Sequence, residues 1–159
     1  MKSKMCFVVL VAVFLSSVPA VAQVSDTDFL QQLRAEIQTD RQALVAANLG
    51  LTDAEGEAFW PLYRQYRSEM AEVGDRLQKL IQDYAEVWEA PTDDQASAMV
   101  DEMMAIQSKE LKVRHSYLKK FRKVLPEIKV ARFVQIENKI DAIIKIGLAD
   151  AIPLIATAG

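Results

Sequence analysis

Cysteine and histidine are almost missing from this 159-residue chain, which holds one of each, Cys6 and His115. A zinc site of the usual Cys/His kind, a CxxC redox pair and a disulfide framework all need more, so none of them is encoded. Glycine is scarce too. The five glycines, at 50, 56, 74, 147 and 159, form neither GxGxxG nor GxxxxGK[ST], which removes both phosphate-cradling loops of nucleotide-binding folds. The carboxylates are not accompanied by a nucleophile, base or metal set, so the chain reads as a non-enzyme without a cofactor.

What is present is unevenly spread. Lys2 and Lys4 precede an unbroken apolar run of 11 residues, Met5 to Leu15, and Ala20-Val21-Ala22 supplies a small-x-small cleavage site. This pattern predicts a signal peptide over 1–22, cleaved before Gln23, and export to the periplasm. The run is well short of the roughly 20 apolar residues that span a bilayer. Cys6 sits at the start of the run, away from any acylation site, and leaves with it. Residues 23–159 then form one domain of 137 residues without cysteine, a composition suited to an oxidising compartment. Removing two lysines from 19 basic residues leaves 17 against 22 acidic, a net charge of −5. An exported acidic protein has little occasion to meet nucleic acid, and protein partners are favoured.

No segment alternates with period two, and apolar residues recur at three- and four-residue spacing, which predicts an all-α fold of four helices. The first opens at Ser25 or Asp26, carries Phe29, Leu33, Ile37 and Leu44, and stops at Asn48 before Gly50, with Arg34 and Arg41 flanking its stripe. Thr52-Asp53-Ala54-Glu55 is a capping box. It opens a second helix whose apolar positions keep step from Phe59 through Tyr63, Tyr66, Val73 and Leu80 to Trp88. Unbroken to Glu89, that helix would be about 55 Å long. Pro61 costs about 3 kcal/mol inside a helix, but the stripe stays in phase across it, which predicts a kink and not a break. Ala90-Pro91 ends the second helix and Thr92-Asp93-Asp94-Gln95 caps a third, so the two form a long antiparallel helical hairpin. The third carries Met99, Val100, Met103, Ile106, Leu111, Tyr117, Leu118 and Phe121 to about Val124; after Leu125-Pro126, Glu127 begins a fourth with Val130, Phe133, Ile136, Ile140, Ile143, Ile144 and Leu148 on one face. Residues 149–159 are expected to pack loosely or fray.

Charge is segregated. Residues 83–102 hold seven acids and no base, whereas residues 109–132 hold nine bases against Glu110 and Glu127. On a helical wheel Lys109, Lys112, Lys119, Lys120 and Lys123 share an arc of about 100°. Such a run is either a solvated face or an electrostatic landing surface for acidic protein segments. Glu110 and Arg114, in the favoured i,i+4 order, fall within the apolar arc of the third helix, and Glu137 falls within that of the fourth. Together they predict a semi-buried polar layer that fixes helix register. His115 reads as a surface histidine, with no metal site implied. The group Phe59, Trp60, Tyr63 and Tyr66 reads as core, except that Trp60 turns off the stripe and is available to a partner or a dimer contact.

Leu51-Thr52-Asp53-Ala54-Glu55, placed between a short helix and a long helical hairpin in an exported chain, resembles the LTxxQ motif of the Spy/CpxP-like family of periplasmic proteins. Glu55 stands where Gln is usual. The second motif position reads Leu125-Pro126-Glu127-Ile128-Lys129, and Leu51 to Phe59 and Leu125 to Phe133 are both eight residues apart. The resemblance implies a four-helix subunit that pairs as a homodimer with a basic, partly apolar concave surface. It also implies one of three uses: ATP-independent chaperone binding of unfolded or misfolded periplasmic clients in envelope stress, regulation of a membrane sensor kinase or anti-sigma factor through its periplasmic domain, or periplasmic heavy-metal sensing. The histidine-rich segments of the metal branch are missing here.

Overall fold

In a computed structural model of the chain, residues 40–156 are described, and among them every regular element is helical. α1 occupies residues 40–49, α2 Asp53–Ala85, α3 Asp93–Phe121 and α4 Glu127–Ala151. The expected signal peptide over 1–22, the start of the first helix, and Phe29, Leu33, Arg34 and Ile37 lie outside the described residues.

Local chemistry sets the boundaries. α1 stops where Gly50 takes φ +64°, a left-handed conformation that glycine adopts without a Cβ penalty. Both capping boxes form. The Thr52 hydroxyl accepts from the Glu55 N–H at 3.3 Å while the Glu55 carboxylate accepts from the Thr52 N–H at 2.8 Å; Thr92 and Gln95 repeat this at 3.2 and 2.9 Å. α2 runs 33 residues without a break at Pro61, about 50 Å. Pro61 and Glu57, whose carbonyl loses its helical donor to the proline, both lie on the exposed side. α2 ends at Ala85, before the expected Glu89, and its last turn carries no base. Asp83, Glu86 and Glu89 there oppose the helix dipole, and Pro91 blocks continuation. α3 likewise ends at Phe121, short of Val124, in a tight turn where the Val124 N–H bonds the Phe121 carbonyl. Pro126 then occupies the N-cap of α4 without a side-chain cap.

Packing divides into a thick and a thin part. Val45 and Leu49 of α1, Phe59, Tyr63 and Tyr66 of α2, Val113, Tyr117 and Phe121 of α3, Leu125 of the turn, and Val130 and Phe133 of α4 make one core. Its centre is aromatic: Phe133 meets Phe121 at 4.8 Å and Phe59 at 5.6 Å, and Tyr66 meets Tyr117 at 5.6 Å, distances at which edge-to-face and tilted pairs attract. The second core is only Val73, Leu80 and Ile106 with Leu77, Met99 and Met103 against them. Arg76 meets Glu102 at 2.8 Å and the Tyr117 hydroxyl meets Glu69 at 2.7 Å, so positions further along α2 meet positions earlier in α3.

The apolar pattern is richer than the packed faces. The buried line of α1 is Arg41, Val45 and Leu49, and Leu44, one residue off it, is exposed; so are Val100 and Leu111 of α3 and Ile143 of α4. The expected fraying after α4 is partly replaced by two bonds. The Tyr84 hydroxyl donates to the Pro153 carbonyl at 2.7 Å, and the Ala156 N–H donates to the Trp88 carbonyl at 3.0 Å. No helix among the described residues is long and apolar enough to cross a membrane.

Candidate functional site

The lysine arc of α3 is a physical surface. Val113, Tyr117 and Phe121 turn inward, which leaves Lys109, Lys112, Lys119 and Lys123 exposed and Lys120 half-buried. The Lys120 ammonium lies 3.9 Å from the centre of the Tyr117 ring, within the range of a cation–π contact. None of the five lysines makes an ion pair among the described residues. The exposed apolar residues of α3 do not share that arc. Val100, Met104 and Leu111 are exposed and lie within about 40° of one another on a separate side of the helix. Leu111 also lines a groove of about 600 Å³ between α3 and α4, together with Arg114, Ala142 and Lys145.

Trp60 is half-buried, edge-on to Phe59 at 5.1 Å and to Tyr63 at 5.5 Å. Its outer side lines an open groove with Leu51, Gly56, Pro61 and Arg64. The indole is therefore an edge of the aromatic core with one side open to solvent.

The two motif segments meet. Lys129 bonds Glu55 at 2.5 Å, and Phe59 and Phe133 touch, so residues at equivalent places in the internal echo are paired in space. Thr52 and Asp53 sit in the cap and first turn of α2, Leu51 packs against the core, Leu125 is buried within it, and exposed Glu127 pairs with Arg122 at 3.1 Å. The Lys129 bond, followed by the Thr52 N–H, holds the Glu55 carboxyl below its ordinary value.

The polar layer forms with a different centre. Glu110 accepts from Arg114 at 3.0 Å, and Arg114 also bonds Asp141. Glu137 does not meet that pair directly. Buried Arg41 donates to Glu137 at 2.9 Å and to Asp141 at 2.7 Å, which joins the two halves. The Tyr66 hydroxyl donates to Glu137 at 3.3 Å, and Arg67 approaches it to 3.7 Å. Burial pushes the Asp141 carboxyl up, but Arg41 and Arg114 outweigh it and hold the group below its ordinary value. Burial, reinforced by Glu137, pushes the Tyr63 and Tyr66 hydroxyls up. Arg41 Nε, Tyr63 Oη and Glu137 Oε1 are buried without a partner among the described residues. Sequence reasoning missed Arg41, Tyr66 and Asp141. Asp141 follows Glu137 by four residues, and Arg41 precedes Val45 and Leu49 at the same spacing, so both lie on buried lines.

His115 is exposed. Among the described residues no group of three or more His, Cys, Asp or Glu side chains is placed to hold a metal ion. No protein-family model matches the chain, and no curated protein or solved structure matches it either.

Proposed function

We propose that the chain is an exported, periplasmic, Spy/CpxP-like binding protein in which α2 and α3 form a long antiparallel hairpin, working as a homodimer that holds unfolded clients without ATP. The observation that carries this reading is the lysine arc of α3: Lys109, Lys112, Lys119, Lys120 and Lys123 on one side of a helix, without ion-pair partners among the described residues, in an acidic protein. Unneutralised charge of one sign steers acidic segments from a distance. Val100, Met104 and Leu111, exposed on the neighbouring side, then give short-range apolar contact, with methionine adapting to many shapes.

Light scattering of an aggregating acidic client tests it. The wild-type protein suppresses aggregation at stoichiometric ratios and loses that effect as salt screens the lysines. Lys112→Gln, Lys119→Gln and Lys123→Gln combined weaken suppression while the melting curve stays in place. Absence of suppression at low salt removes the reading, and sedimentation of the same preparation checks the homodimer.

A further inference from the structure

The sulfur of this chain is concentrated where the packing is thinnest. Residues 23–159 hold four methionines and no cysteine. Met70 packs against the aromatic core, whereas Met99, Met103 and Met104 lie in the first half of α3. Met99 and Met103, one turn apart, share the side of α3 that carries Ile106. With Leu77 they pack against the second core, whose buried residues are Val73, Leu80 and Ile106. Met104 turns outward and is exposed.

Two properties of that place set its chemistry. Met99 and Met103 are packed but not buried, so solvent, and a small oxidant with it, reaches them in the folded chain. Their neighbours Val73, Leu77, Leu80 and Ile106 have no side-chain hydrogen-bond donor. Oxidation of a methionine thioether to the sulfoxide turns a flexible apolar side chain into a polar one, and a polar oxygen pressed against aliphatic carbon without a donor is unfavourable. The aromatic core, with eleven buried residues, does not depend on these sulfurs. The second core, with three, does. Arg76 and Glu102 also join α2 to α3 at this level, at 2.8 Å, but both side chains are exposed, and such pairs contribute little.

We propose that Met99 and Met103 form a reversible oxidation site for a hydroperoxide, and that their conversion loosens α2 from α3 around Val73, Leu80 and Ile106. In the step with hydrogen peroxide a lone pair of the thioether sulfur attacks one peroxide oxygen, and the S–O bond forms as the O–O bond breaks. The departing hydroxide takes the proton of the transferred oxygen and leaves as water. Sulfur is oxidised by two electrons and the peroxide is reduced by two. The site is separate from the lysine arc of α3 and does not rest on client binding.

Hydrogen-exchange mass spectrometry before and after treatment with hydrogen peroxide tests it, using the protein in the form in which it accumulates in cells. Met99 and Met103 each gain the mass of one oxygen, and amide exchange around Val73, Leu80 and Ile106 quickens by about tenfold or more. Exchange around Val45 and Phe133 stays as it was. The two methionine sulfoxide reductases, one for each sulfoxide epimer, reverse both changes. Met99→Leu/Met103→Leu conserves volume and exchanges slowly with or without peroxide, whereas Met104→Leu responds as the wild type does. Sulfoxides at both positions without faster exchange overturn the proposal, as does quickening that persists in Met99→Leu/Met103→Leu. Oxidation of Met104 that leaves Met99 and Met103 unconverted overturns it too, and so does quickening spread evenly to Val45 and Phe133.

Discussion

Arg41 of α1 donates to Glu137 of α4 across 2.9 Å, with both side chains buried. This contact ties α1 to α4 beside Tyr66, whose hydroxyl also bonds Glu137. Arg41→Met leaves Glu137 in the interior with only the Tyr66 hydroxyl and the longer Arg67 approach. Breaking one partner of a buried pair costs about 3–5 kcal/mol, whereas replacing both by apolar residues is often neutral. Urea unfolding is expected to show that loss for Arg41→Met and recovery of most of it in Arg41→Met/Glu137→Leu. A double variant no more stable than the single one would mean that Glu137 is needed for more than charge balance.

Asp141 predicts how stability responds to acid. Its carboxyl is held below its ordinary value of 3.8 in the folded chain, so the unfolded chain binds the proton first. Its contribution is therefore complete above pH 3.8 and is lost as pH falls through the lower folded value. Arg114→Met removes one of its two cations, which moves the folded value back toward the ordinary one. The variant should be less stable at neutral pH, and it should lose less of its remaining stability between pH 4 and pH 2 than the wild type does. Thermal melts across that range measure both, and identical acid profiles would show that Arg114 does not hold the group. Sedimentation of Arg114→Met checks whether the layer also fixes register.

Tyr63 and Tyr66 lie three residues apart and are both buried, yet among the described residues only one hydroxyl is bonded. Tyr66 donates to Glu137, while the Tyr63 hydroxyl has no partner among the described residues. Removing a bonded partner from a buried charged group costs about 1–3 kcal/mol, whereas removing an unpaired hydroxyl lifts a desolvation penalty. Tyr66→Phe is expected to lower the melting temperature and Tyr63→Phe to leave it unchanged or raise it. The reverse order would place a bonded water on Tyr63.

Much of this was legible because it is local. The capping boxes at Thr52 and Thr92, the stop at Gly50 and the start at Glu127 depend on a few neighbouring residues, and all four form. The buried aromatics of α2 followed from one clear period. What was not legible depends on a choice among faces. α3 and α4 carry more apolar positions than they bury, and the wheel does not say that Val113 is covered while Leu111 is open. The polar layer was half-visible for the same reason. Glu110 and Arg114 announce themselves by their spacing within one helix, but Arg41 finds Glu137 and Asp141 about a hundred residues away, and no local pattern encodes that meeting.

Glu55 has two roles that substitution can separate. Its carboxylate accepts from the Thr52 N–H, closing the capping box, and also binds Lys129 of α4. Lys129→Met removes only the second contact, a partly exposed ion pair of the kind that contributes little. Glu55→Lys removes both, and it places a cation beside Lys129 in the first turn of α2, where the helix dipole favours an anion. The Thr52 hydroxyl still caps the helix, but the Thr52 N–H loses its acceptor, so Glu55→Lys is expected to destabilise clearly more than Lys129→Met. Adding Lys129→Glu to Glu55→Lys restores the pair with reversed sign but not the bond to the Thr52 N–H, and should recover only part of the loss. Full recovery in urea unfolding would mean that the Glu55 half of the capping box contributes nothing and that the contact between the two segments carries the whole effect.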